Sequence, residues 1–143
     1  MLFSYGSNDK RQLAKRLGRR VEPEPGYVRG YRRVFRGFSR KWGGGVASLE
    51  RHRESITYGA LVPIDEEELA ILDRYEGVAT GNYQRHEATV ERPDQEPVLA
   101  VVYIATSPEY NEPTRAYLEQ IARTVGQMWQ SDPPVTWRSF PLR

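Results

Sequence analysis

The stretch from Asp65 to Gly77 constrains the fold most, because both ends of a helix are written into it. Asp65 stands where an N-cap belongs, and Glu68 follows three residues on, which is the spacing of a capping box over Glu66–Arg74. Leu69, Leu72 and Asp73 recur at helical spacing, and Gly77 stands where such a helix stops. β-rich runs flank it: residues 56–64 before, with Gly59 inside, and 83–91 and 98–106 after. A capped helix set between strands predicts an α/β or α+β architecture. At 143 residues the chain suits one domain, spanning residues 1–143, with enough length for a substantial core.

The remaining elements follow from similar signals. Met1–Tyr5 is an apolar and aromatic run stopped by Gly6-Ser7-Asn8, a strand entering a turn. Asn8 is the expected N-cap of a helix over Asp9–Leu17, where Leu13, Ala14 and Leu17 share a face, and Gly18 ends it. Val21–Gly26, with two prolines, is expected to be a connector, and residues 27–39 a strand with imperfect alternation. Trp42 precedes three glycines, and Val46–Leu49 reads as a further strand. Pro113 suits a first helical position ahead of Tyr117, Ile121, Val125 and Met128 on one face. The tail Ser131–Arg143, with Pro133-Pro134 and Pro141, reads as irregular or as a short edge strand.

Composition removes several kinds of chemistry. The chain has no cysteine, which excludes disulfides, thiolate catalysis and the usual structural zinc sites. Its two histidines, His52 and His86, lack metal-ligand spacing, so no metal is expected. No stretch approaches the roughly 18–20 apolar residues of a membrane-spanning helix, and Met1-Leu2-Phe3 is too short for a signal-peptide core. The expectation is a cytoplasmic protein with no membrane partner. A net charge of +2 hides an asymmetry: residues 1–58 carry +9 and residues 59–143 carry −7. Tyr27, Tyr31, Phe35 and Phe38 interleave with Arg29, Arg32, Arg33 and Arg36, as in some RNA binders. A strand with one solvated face gives the same pattern, and the balance of readings is against a nucleic-acid partner.

Three segments invite a mechanism. The turn Tyr5-Gly6-Ser7-Asn8 joins a strand to a helix, so its backbone N–H groups suit a carboxylate or a developing oxyanion. Trp42-Gly43-Gly44-Gly45 lacks the Lys-Ser/Thr ending of a phosphate-binding loop, and marks either a flexible turn or a crowded backbone crossing that could wall a pocket. Leu72-Asp73-Arg74-Tyr75-Glu76-Gly77-Val78 sets a carboxylate at a helix C-terminus, where the dipole raises its proton affinity. By spacing alone, a solvated surface glutamate is the favoured reading.

In this order and separation, those three segments and the continuation Thr80-Gly81-Asn82-Tyr83 resemble the γ-glutamylcyclotransferases, the AIG2-like group, over about residues 1–126. Pro113-Thr114-Arg115-Ala116-Tyr117 is similar to the opening of that family's last helix. The resemblance implies an α+β fold: a small mixed barrel with flanking helices and a cavity at one end. It implies an enzyme that cyclises a γ-glutamyl amine or γ-glutamyl amino acid to 5-oxoproline and a free amine, with no cofactor. Glu76 matches the catalytic glutamate, and Leu2, Phe3, Ser4, Tyr5, Gly6, Ser7 and Asn8 match the substrate-binding segment. Tyr83 and Tyr117 match tyrosines of the site. The turn lacks the Tyr-Gly-Ser-Leu form of the glutathione-specific branch. The implied partner is a small γ-glutamyl molecule, with a homodimer as one allowed assembly. Alternatives are a catalytically silent binding module of the same fold and a basic RNA-binding domain, which needs a continuous exposed stripe over residues 27–41.

Overall fold

The computed structural model describes residues 1–126 and Trp129. Its elements run β1 (Leu2–Ser4), α1 (Lys10–Leu17), β2 (Glu24–Ser39), β3 (Gly44–Val62), α2 (Glu66–Glu76), β4 (Tyr83–Arg92), β5 (Gln95–Ala105) and α3 (Arg115–Gly126). The strands close into a barrel in the order β1-β3-β2-β4-β5. β2 and β3 form one long antiparallel hairpin, and β4 and β5 form a second. β1 joins them, antiparallel to β3 with Phe3 opposite Leu61, and parallel to β5 with Leu2 opposite Val101. Tyr27 opposite Glu91 closes the ring between β2 and β4. This is the mixed barrel with flanking helices, an α+β fold, that the resemblance implies.

Successive strand side chains point to opposite faces, so the three residues of β1 serve two cores. Phe3 enters the barrel with Val28, Leu61, Val90 and Val102, and Tyr117, Ile121 and Val125 of α3 pack against the same cluster. Leu2 faces outward onto Leu13 of α1, Val21, Leu72 of α2 and Tyr103. Burying one such side chain is worth roughly 1.5–3 kcal/mol. Leu2 and Phe3 are each 1% exposed, so β1 is held from both sides and the chain leaves it at Tyr5 in a fixed place.

α2 has the capping box read from its sequence: Glu68 N–H donates to Asp65 Oδ1 at 2.8 Å, and the Asp65 N–H donates to Glu68 Oε1 at 3.2 Å. The helix runs two residues past Arg74, to Glu76. Gly77 ends it at φ +66, a left-handed conformation that costs glycine little.

Several local expectations are corrected. Asp9, not Asn8, caps α1, accepting from the Gln12 N–H at 2.9 Å. β2 begins at Glu24, inside the expected connector. Strands expected at 46–49 and 56–64 are parts of one strand, β3; the charged run Glu50–Glu54 hid their continuity. There Arg51–Glu54 are exposed, and the pairing with β2 shifts register beside Gly30. Pro113 lies two residues ahead of α3, and the Thr114 hydroxyl accepts from the Tyr117 N–H at 3.3 Å, as an N-cap does. Met128 and the tail Ser131–Arg143 lie outside the described residues.

The glycine run is a crowded crossing. A Cβ on Gly45 would sit 2.2 Å from the Asn111 carbonyl oxygen, and one on Gly44 would sit 2.7 Å from that of Glu112. The Gly45 N–H donates to Glu112 O at 2.9 Å, which locks the β2–β3 tip against the segment leading into α3. The basic stripe expected of an RNA binder is interrupted. Arg33 is fully buried, with Nε donating to Tyr5 O at 2.7 Å and Nη2 to Tyr58 O at 2.9 Å. Arg32 and Arg36 both pair with Glu50, at 2.6 and 2.8 Å.

Candidate active site

Two elements deliver the central groups to one place. β1 carries the chain into the Tyr5–Asn8 turn, and the last turn of α2 carries Glu76 against it. Asn8 Nδ2 donates to Glu76 Oε1 at 2.9 Å. Asn8 Oδ1 accepts from Arg16 Nη1 at 2.9 Å, and that nitrogen lies 4.0 Å from Glu76 Oε1. The N-cap role passing to Asp9 frees the Asn8 amide for this link. The Glu76 side chain is only 15% exposed, so the solvated-surface alternative does not hold.

Burial raises the proton affinity of Glu76, while the Asn8 hydrogen bond and the Arg16 charge pull it back down. The direction is the one that the helix end suggested; desolvation is its main cause. A carboxyl tuned upward and held by an amide donor is suited both to take and to return a proton.

Around Glu76 is a small cavity of about 40 Å³, lined by every residue of the turn segment Leu2–Asn8 and by Ala47, Tyr83, Tyr103 and Tyr117. All ten residues singled out from the sequence, Glu76, Tyr83, Tyr117 and Leu2 through Asn8, therefore meet at one site. The tyrosines are positioned by backbone. Tyr117 Oη accepts from the Ala47 N–H at 2.7 Å, and Tyr83 Oη donates to Ala47 O at 3.2 Å. Tyr5 Oη donates to Tyr103 O, and Tyr103 Oη donates to Asp73 Oδ1 at 2.7 Å. Burial pushes all four phenols above the usual tyrosine range, so they stay neutral hydrogen-bonding groups.

The turn itself is braced. Ser4 Oγ donates to Asn8 O at 2.7 Å, and Gln120 Nε2 of α3 donates to Ser7 O at 2.9 Å. The Arg33 guanidinium reaches Tyr5 O from inside the barrel; burial lowers its pKa to about 10, which still leaves it charged at neutral pH. Among the described residues no acceptor takes the Gly6 and Ser7 N–H groups. Gly6 and Ser7 are among the residues that line the cavity with Glu76.

Sequence reasoning missed Arg16, Arg33, Ala47 and Tyr103. Arg16 is one of five basic residues in ten positions, Lys10 to Arg19, and nothing in its spacing marks it out. Arg33 stands among arginines that pair at the surface. Tyr103 had a faint signal, as a polar-tipped aromatic inside the apolar run 98–105. Among the described residues, no three His, Cys, Asp or Glu side chains cluster as metal ligands do, and no helix is long and apolar enough to cross a membrane.

A five-stranded mixed barrel with flanking helices defines a fold class, and solved structures share it. One titled a γ-glutamyl cyclotransferase superposes with a TM-score of 0.88 at 19% identity, covering 99% of this chain and 88% of that one. An uncharacterized human protein superposes at 0.87 and 20% identity, with the same coverage. A yeast γ-glutamyl cyclotransferase specific to glutathione reaches 0.56 at 15% identity, covering 99% and 88%. No curated protein matches in sequence. A sequence model of the AIG2-like family matches residues 57–127, which include α2, Glu76 and Tyr83. Over those residues the chain is similar to the AIG2-like family, and its fold is the γ-glutamylcyclotransferase-like barrel.

Proposed function

We propose that the protein cyclises a γ-glutamyl compound to 5-oxoproline and releases a free amine, with Glu76 as the acid–base residue. The observation that carries this reading is a buried carboxylate of raised proton affinity, facing a small cavity edged by unpaired turn amides. The substrate's α-ammonium gives a proton to Glu76. The neutral nitrogen then attacks the γ-carbonyl carbon and closes a five-membered ring. As the tetrahedral centre collapses, Glu76 returns its proton to the leaving nitrogen and the bond to that nitrogen breaks. The ring nitrogen gives its second proton to the freed Glu76 carboxylate, which passes it on to the departing amine, so that the amine leaves as an ammonium ion. Nothing is oxidised or reduced, and the proton count balances.

Nucleophile and electrophile share one molecule, so holding a folded conformer supplies much of the acceleration. The Gly6 and Ser7 N–H groups suit the oxyanion of the intermediate. The hydroxyl groups of Tyr83 and Tyr117, fixed on the backbone of Ala47, suit the α-amino and carboxylate end of the substrate. Catalysis of this kind needs the carboxylate as base first and as acid second, which a raised pKa serves.

The test is 5-oxoproline release from a panel of γ-glutamyl amines and γ-glutamyl amino acids. Turnover of at least one member is expected, and Glu76→Gln is expected to lower it by roughly 10²–10⁴-fold with unchanged near-UV circular dichroism. Activity surviving in Glu76→Gln would overturn the mechanism. Absence of turnover on the whole panel would favour a binding module.

A further inference from the structure

Outside the small cavity lies a second, larger chamber of about 600 Å³, which shares Ser7, Glu76, Tyr83 and Tyr117 with it. If the γ-glutamyl half fills the inner cavity, the scissile bond lies near Glu76 and the leaving amine extends into this chamber. Its lining carries four cations, Arg16, Arg36, Arg40 and Lys41, against two acids, Glu76 and Glu109. Arg36 is committed to Glu50 at 2.8 Å. Arg40 and Lys41 make no ion pair among the described residues; Lys41 lies 5.4 Å over the Trp42 ring. Arg16 is held by Asn8 Oδ1 at 2.9 Å and lies over the Tyr75 ring, so the cations of the chamber differ in depth and in how firmly they are held. Arg16 stands at the junction with the inner cavity, 4.0 Å from Glu76, and Arg40 and Lys41 are exposed on the β2–β3 tip.

We propose, resting on the cyclisation reading, that this chamber is the leaving-group subsite and takes an acidic amino acid. Arg16 would meet the carboxylate next to the departing nitrogen, and Arg40 and Lys41 a second carboxylate farther out. At about 600 Å³ the chamber is far roomier than the inner cavity of about 40 Å³, so a leaving group with an extended acidic side chain fits it. A cationic leaving amine meets like charge at both depths. The tip that presents Arg40 and Lys41 is anchored: Thr114 Oγ1 donates to Trp42 O at 3.0 Å, and Asn111 Nδ2 donates to Gly37 O at 2.8 Å. The cations therefore stand on a braced wall.

Three substrates of graded charge test this: γ-glutamylglutamate, γ-glutamylalanine and γ-glutamylputrescine, compared by kcat/KM for 5-oxoproline release at low salt. The expected order is glutamate, alanine, putrescine, with about tenfold between the extremes, the sum of a few exposed charge contacts. Raising the salt to about 0.5 M should compress the spread, because exposed charges are screened. The double variant Arg40→Glu/Lys41→Glu should bring putrescine level with glutamate or ahead of it. Equal values for all three, alanine matching glutamate, or an order untouched by salt and by charge reversal would each overturn the proposal. Should none of the three be turned over, the cyclisation reading fails separately. Calorimetric binding of the same compounds then decides the subsite: affinities in the same charge order sustain it, and absent or unordered binding sinks it.

Discussion

The inner cavity and the outer chamber share four residues yet are built on opposite principles. The inner one is made of backbone and buried side chains whose polar atoms are tied down: Tyr117 and Tyr83 on Ala47, Tyr5 on Tyr103, the turn on Arg33 and Gln120. The outer one is made of a hairpin tip and helix ends, with long charged side chains reaching into water. Burial makes the first chemically potent, because a desolvated carboxyl shifts its proton affinity and each hydrogen bond counts for more. Exposure makes the second selective but weak, since each charge contact in water is worth about 0.2–1 kcal/mol. Chemistry and specificity are thus separated by depth.

That contrast can be broken most directly by the size of mutational effects. Glu76→Gln should act on kcat by orders of magnitude, whereas the charge reversals at Arg40 and Lys41 should act on KM within about tenfold. Comparable losses in kcat from both would erase the distinction. Next in size is Arg33→Met, which leaves the carbonyls of Tyr5 and Tyr58 without their guanidinium donor inside the barrel. A loss of about 1–3 kcal/mol for each carbonyl is expected from chemical denaturation. Unaltered stability would mean that water reaches these carbonyls. Gly45→Ala should cost about 1–3 kcal/mol by overpacking, because the new methyl meets the Asn111 backbone rather than a movable side chain. A melting temperature equal to that of the parent protein would show that the crossing can open.

Smaller effects concern protons. Asn8→Ala removes a hydrogen bond that holds the Glu76 pKa down, so the acidic limb of the kcat/KM profile should move to higher pH. A limb that stays in place would assign it to another group. Folding stability should also register the burial of Glu76. Its folded-state pKa is raised, so the native state holds the proton more tightly than the unfolded chain. Stability attributable to this residue is present below the unfolded pKa and is lost as pH rises through the folded one. Glu76→Gln should accordingly gain on the parent protein from acid to neutral pH. A difference independent of pH would contradict the raised pKa.

Much of the fold was legible because its signals are local. The α2 capping box, Gly77 and the strand–turn at Tyr5 rest on hydrogen bonds between residues two to four apart. The α3 face of Tyr117, Ile121 and Val125 follows from periodicity, and all three are buried. The continuity of β3 was not legible, since a charged run such as Glu50–Glu54 reads as a loop until a partner strand is beside it. Nor was the division of labour between Asn8 and Asp9, because either side chain suits an N-cap.

The sequence by itself determined the three helices and most of the strand segments, and which groups the candidate site has available: Glu76, the Tyr5–Asn8 turn, Tyr83 and Tyr117. Only the tertiary structure decided that Glu76 is a buried acid and not a surface one. Its environment comes from Asn8, 68 residues away, from Arg16, and from a barrel end that the other strands close. Desolvation and hydrogen bonding are properties of neighbours in space. They appear when distant segments exclude water together.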